Sequence, residues 1–158
     1  MLIRELKSNQ VFVFGSNING FHGAGAAGYA SFGESGNVWR KYNYVNKPNG
    51  WKGKWNVKGV GEGLQEGIEG MSYALPTVVK PGYKRSIRPE KITENIKRMY
   101  ECARLNRDKE FLVSYDGKSK KLLSGYSIIE LAEMFRKAGI KPVNVIFEKT
   151  LENMIKEY

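Results

Sequence analysis

The sequence holds few of the side chains that support redox or metal chemistry. Cys102 is the only cysteine in 158 residues, which excludes a disulfide framework and a cysteine-built zinc site. His22 is the only histidine, and Asp108 and Asp116 are the only aspartates. No metal and no cofactor are expected. No apolar run approaches the roughly 18 residues that a membrane-crossing helix needs. The opening stretch, MLIRELKSNQ, lacks the apolar core of a signal peptide. These absences predict a cytoplasmic protein with no membrane partner. Acids are also missing from Ser35 to Gly61.

Positive charge is in surplus. Lys and Arg number 26 against 16 Asp and Glu, a net charge of +10. Such a balance suits polyanionic partners, nucleotides or nucleic acid among them; it also serves solubility alone. The length fits a single domain, 1–158, carrying a basic, aromatic-rich insert at about 35–61.

Apolar patterning predicts alternating strands and helices. Val11–Phe14 reads as a short buried strand that stops at Gly15. Residues 24–33, AGAAGYASFG, start a weak helix. Residues 72–79 read as a strand interrupted by Pro76. Pro89 suits the first turn of a helix whose face is Ile92, Ile96, Met99 and Ala103, ending near Asn106. Its Met and Tyr side chains and Cys102 are expected to be core. Residues 111–115 form a strand, and Ser127 with Glu130 make a capping box. The helix that follows ends at Gly139, a further strand covers 143–147, and a last helix covers about 151–157. This alternation predicts an α/β fold with a parallel or mixed sheet covered by helices.

The stretch VFVFGSNINGFHGAGAAG contains a literal G-x-G-x-x-G at Gly23, Gly25 and Gly28. A dinucleotide fingerprint needs its first glycine directly after the strand and an acid about 20 residues later. Here the strand ends at Phe14, and no acid lies between 35 and 61, so that reading fails. The physics of the glycines still applies. A Gly/Ala corner at a helix start lets a ligand approach backbone N–H groups, where the helix dipole favours an anion. The turn Gly15-Ser16-Asn17 followed by the corner Gly23-Ala24-Gly25-Ala26 is therefore a candidate phosphate cradle. The alternative is that the small residues only let helix and sheet pack closely. His22 lies in the same loop, as a general acid or base or as a cap of local backbone. Gln65 and Ser72, in and after a glycine-dense stretch at 59–70, are candidate ligand contacts or parts of a structural turn.

Three blocks, VFVFGSNINGFHGAGAAGYA, GVGEGLQEGIEGMSYALPT and FLVSYDGKSKKLLSGYSIIELAEMF, resemble successive blocks of a macrodomain-like family frequent in bacteriophage and bacterial genomes. The resemblance runs from about residue 11 to 147. It implies a three-layer α/β/α fold with a mixed central sheet that binds ADP-ribose or a related NAD-derived nucleotide. By that resemblance Asn17 approaches the distal ribose, and Gly23, Ala24, Gly25 and Ala26 hold the diphosphate. The loop from Asp116-Gly117 through Ser124, Gly125 and Tyr126 covers its other side. The chain departs from the family pattern in that loop, with Lys118, Lys120, Lys121, Leu122 and Leu123 where glycines are usual. It also lacks an acid in Lys7–Gln10, where classical macrodomains place one near adenine.

If the ligand is also hydrolysed, Asn17 would orient a water or ribose hydroxyl, with His22 or Asp116 as base. A second reading is a nucleic-acid-binding accessory protein. Residues 35–61 carry Trp39, Trp51, Trp55, Tyr42 and Tyr44 among six cations, a mixture that suits single strands. The same segment would also serve as a ribbon over the core or as a lid on a nucleotide. A third reading is an accessory protein that sequesters a host factor without chemistry. The oligomeric state is left open.

Overall fold

The computed structural model describes residues 3–23, 25–33, 52–57 and 59–156. Strand β1, Gln10–Asn17, lies at the middle of the sheet. Its Val11 and Val13 face one side and its Phe12 and Phe14 the other, and all four are buried. A strand with both faces covered has no reason to alternate apolar with polar residues, which explains the continuous apolar run. Strand β3, Met71–Val78, pairs parallel to one edge of β1. Strand β4, Glu110–Val113, pairs parallel to the other, and β5, Val145–Ile146, pairs parallel to β4. Strand β2, Gly63–Glu66, runs antiparallel to β3, giving a mixed sheet in the order β2-β3-β1-β4-β5.

The glycine-dense block was expected as loop, and β2 corrects that expectation. Its inward residue is the polar Gln65, which opposes Ser72, so no apolar alternation marks the strand in the sequence.

Four helices accompany the sheet among the described residues: α1 Gly25–Phe32, α2 Pro89–Leu105, α3 Ile128–Lys137 and α4 Lys149–Lys156. On the Val11/Val13 face, Ile92, Ile96 and Met99 of α2 pack with Leu131 and Phe135 of α3 and Leu151 of α4. On the Phe12/Phe14 face, Ala27 and Ala30 of α1 pack with Trp55. The chain is thus an α/β protein with helices on both faces of a mixed sheet, compatible with a three-layer arrangement. The helix starting at Pro89 buries Met99 and Tyr100, and Cys102 is half-buried against that core. Burial pushes the Cys102 thiol above its usual range.

Pro76 sits inside β3 without disrupting it. Pairing with β2 ends at Gly63 opposite Ala74, so the missing N–H of Pro76 costs no ladder bond. Its carbonyl is taken by the Asn95 side chain of α2 at 3.0 Å. Register on the β1 side shifts between Ser16 and Asn17.

Candidate functional site

Connections leave β1 toward one face and β3 and β4 toward the other, because α1 packs opposite α2 and α3. Neighbouring parallel strands whose connections diverge leave a crevice outside their carboxyl ends. Such a crevice, about 390 Å³, opens there. Gly15, Ser16 and Asn17 of β1, Thr77 of β3, and Ser114 and Tyr115 after β4 form its base. Gly23, Gly25 and Ala26 form one wall, and the loop from Ser119 to Ser124 forms the other.

The floor depends on Gly15. A Cβ at this position would fall on the Tyr115 hydroxyl, with Thr77 Oγ1 3.4 Å away. The absent side chain is what lets Tyr115 reach under β1 and hydrogen-bond Thr77. Burial pushes the Tyr115 phenol up to about 12, against a smaller opposite effect of that hydrogen bond. It is therefore a neutral hydroxyl at any physiological pH.

The glycine-rich corner divides between the two roles considered for it. Gly28 serves packing, since a Cβ there would meet the Gly23 backbone at 2.8 Å. Gly25 serves openness. It has φ +61°, a left-handed conformation that side chains resist, and only Leu123 Cδ1 lies near, 3.6 Å from an added Cβ. The first-turn amides of α1 have no acceptor within the helix. Among the described residues no acceptor elsewhere takes the amides of Gly25 or Ala26. The first turn of α1 carries no acid, so the positive end of its dipole faces the crevice uncompensated. Ala24 lies outside the described residues.

The remaining candidate residues separate into those at the crevice and those elsewhere. Asn17 lines it, but its carboxamide closes the loop ahead: Nδ2 donates to Phe21 O at 2.8 Å and Oδ1 accepts from Phe21 N at 3.0 Å. One N–H and one lone pair remain for a ligand. Ser16 also lines the crevice while its hydroxyl donates to Gly61 O. Ser124 lines the far wall; its carbonyl accepts from Arg85 N at 2.6 Å. Its neighbours turn away. Gly125 has φ +86° and backs onto Lys84. Tyr126 is a core residue whose hydroxyl donates to Ile87 O at 2.6 Å beneath the Arg85 guanidinium.

Four further candidates lie outside the crevice lining. His22 is buried edge-on against Phe14, with Nε2 2.8 Å from Val60 O. That contact fixes the proton on Nε2 and ties the loop after β1 to the segment before β2. Asp116 Oδ1 accepts from Lys118 N at 2.8 Å and shapes the start of the second loop. Gln65 is buried on the Trp55 face, where Oε1 accepts from Val57 N at 2.6 Å. Ser72 acts alike, its hydroxyl donating to Trp55 O at 2.7 Å.

Of the basic aromatic insert, residues 34–51 and 58 lie outside the described residues, including Trp39, Trp51, Tyr42 and Tyr44. Trp55 is 1% exposed, packed on Phe12 and Tyr29 with Lys54 over its ring. That ring belongs to the core and has no free face for a base.

Thr77, Tyr115 and the rim residue Phe21 were not among the residues singled out from the sequence. Thr77 sits near the carboxyl end of β3 and Tyr115 two residues past the end of β4, and the carboxyl-end rule for α/β sheets is the signal that finds them. Phe21, 61% exposed, carries no such signal; only its clamp to Asn17 places it.

Among the described residues, no helix is long and apolar enough to cross a membrane, and no group of three or more His, Cys, Asp or Glu is placed to hold a metal ion. Comparison with family models, with curated proteins and with solved structures finds no match for this chain.

Proposed function

We propose that the chain is a macrodomain-like binder of ADP-ribose or a related NAD-derived nucleotide, with the diphosphate seated between the α1 corner and the 119–124 loop. The observation that carries this reading is the pair of Gly25 and Ala26 amides, without acceptors among the described residues, at the wall of an open crevice. Backbone donors at a helix start recognise phosphate without a cationic side chain. Thr77, Ser114, Ser119 and Ser124 line the same space, and Lys121 is part of its lining. Lys121 belongs to the loop where the chain departs from the family's glycines, and there it supplies charge to the phosphates.

Binding without turnover is the reading the geometry supports best. The base candidates His22 and Asp116 lie outside the crevice lining, and Asn17 is engaged by Phe21. Calorimetry with ADP-ribose tests the proposal. Saturable heat is expected, weakened about tenfold or more by Gly25→Ala, because a side chain strains the left-handed backbone that aims the amide. Neither heat nor a thermal shift at millimolar ADP-ribose would sink it.

A further inference from the structure

A second cavity, about 460 Å³, lies under the start of α2. The end of β3 divides it from the crevice: Thr77 and Val78 line the crevice, Pro76 and Val79 the cavity. It exists because β2 stops pairing opposite Ala74 while β3 runs on with a bare edge. Asn95, 2% exposed, crosses that gap to the Pro76 carbonyl. Arg98 ties α2 to Glu62 through two hydrogen bonds of 2.5 and 3.0 Å. Ile18, Val79 and Ile87 supply apolar wall.

We propose that this cavity binds a small organic anion, a ring-sized apolar body carrying one phosphate or carboxylate. Three cations line it, Arg88, Lys91 and Arg98, against one acid, Glu62. Arg98 engages that acid, so two positive charges stand unbalanced. Arg88 and Lys91 approach only Glu90 at 3.8 Å and Glu94 at 3.6 Å, both well exposed and neither in the lining. Ion pairs of that kind contribute little, and both cations are available to a ligand. A bare inorganic anion would leave the apolar walls wet, and an apolar ligand would leave the two cations unused. Only a molecule with both halves satisfies the site. The inference rests on residues outside the crevice and stands independently of what the crevice binds.

Methyl NMR of Ile18, Val79 and Ile87 tests it, with phenyl phosphate, benzoate and inorganic phosphate as probes. At least one aromatic anion is expected to move these methyls saturably, and the tighter of the two names the head group. Inorganic phosphate should bind about tenfold more weakly, having no apolar half. Lys91→Glu and Arg88→Glu, both at exposed positions, should each weaken the aromatic anion by about tenfold or more. The proposal is overturned if neither aromatic anion moves the methyls at about 10 mM. It is equally overturned if inorganic phosphate binds as well as they do, or if both variants bind like the parent.

Discussion

A methyl group added at Gly15 would fall on the Tyr115 hydroxyl. Gly15→Ala is therefore expected to lower stability by about 1–3 kcal/mol, as overpacking does. Urea unfolding measures this. Adding Tyr115→Phe should recover part of the loss, because the collision is with the hydroxyl first and the ring carbon second. An additive double variant would mean that the two residues do not meet. Tyr115 also sets a pH limit, together with Tyr73 and Tyr100, whose phenols burial likewise pushes well above their usual range. In the unfolded chain these groups ionise near pH 10. Folded, they hold their protons longer, so the unfolded state loses protons first. Their contribution is fully present below pH 10 and is lost as pH rises through the folded values, about 12 for Tyr115. Stability measured by urea should begin to fall above about pH 8.5, where the unfolded Cys102 thiol ionises first, and fall more steeply above about 10 as the tyrosines follow. Phenolate absorbance appearing for all tyrosines near pH 10 in the folded protein would contradict this.

Among the elements, α3 is the one whose start was most legible. Ser127 caps it as the S-I-I-E pattern predicted: its hydroxyl accepts from Glu130 N at 3.1 Å and Glu130 returns a bond to Ser127 N at 2.9 Å. Arg85 adds a paired contact to the same carboxylate at 2.9 and 3.2 Å, and the backbone and Arg85 bonds hold the Glu130 carboxyl below its usual range. Ser127→Ala is expected to cost about 1 kcal/mol, read as a lowered urea midpoint with an unchanged slope; no change would show that Arg85 alone holds the turn. Strands β1 and β4 were legible for a related reason, since both faces of the sheet are covered and Val11–Phe14 and Phe111–Val113 are unbroken apolar runs, and β3 and β5 were legible from the shorter apolar runs Tyr73–Leu75 and Val145–Phe147. β2 was not, because an edge strand whose inward residue is Gln65 leaves no such trace. The same logic divides the candidate site. Gly15, Ser16, Asn17 and the α1 corner could be read from a strand that stops and a helix that starts. The burial of His22 against Phe14 and the diversion of Gln65 and Ser72 to the Trp55 segment could not. Those outcomes depend on which backbone groups arrive from distant parts of the chain.

At the scale of the molecule, positive charge gathers in the segments that follow β3 and β4, and Lys121 brings part of it to the crevice. Residues 79–89 and 117–129 carry Lys80, Lys84, Arg85, Arg88, Lys118, Lys120 and Lys121 and no acid. Among these, Arg85 pairs closely with Glu130 at 2.9 Å and Arg88 more loosely with the exposed Glu90 at 3.8 Å. Exposed charge of this kind steers an anionic ligand and is screened by salt. ADP-ribose affinity should therefore fall by only about a few-fold between 50 and 500 mM NaCl, since the amide contacts inside the crevice are short-range. A drop of several orders of magnitude would mark instead a protein that follows a nucleic-acid backbone. The central claim, that main-chain amides at the α1 corner receive the phosphates, is reached most directly by a 1H–15N titration with ADP-ribose. The account predicts that the Gly25 and Ala26 amide resonances move furthest downfield, in step with saturation. Saturable shifts confined to other parts of the chain, with those two resonances unmoved, would contradict it.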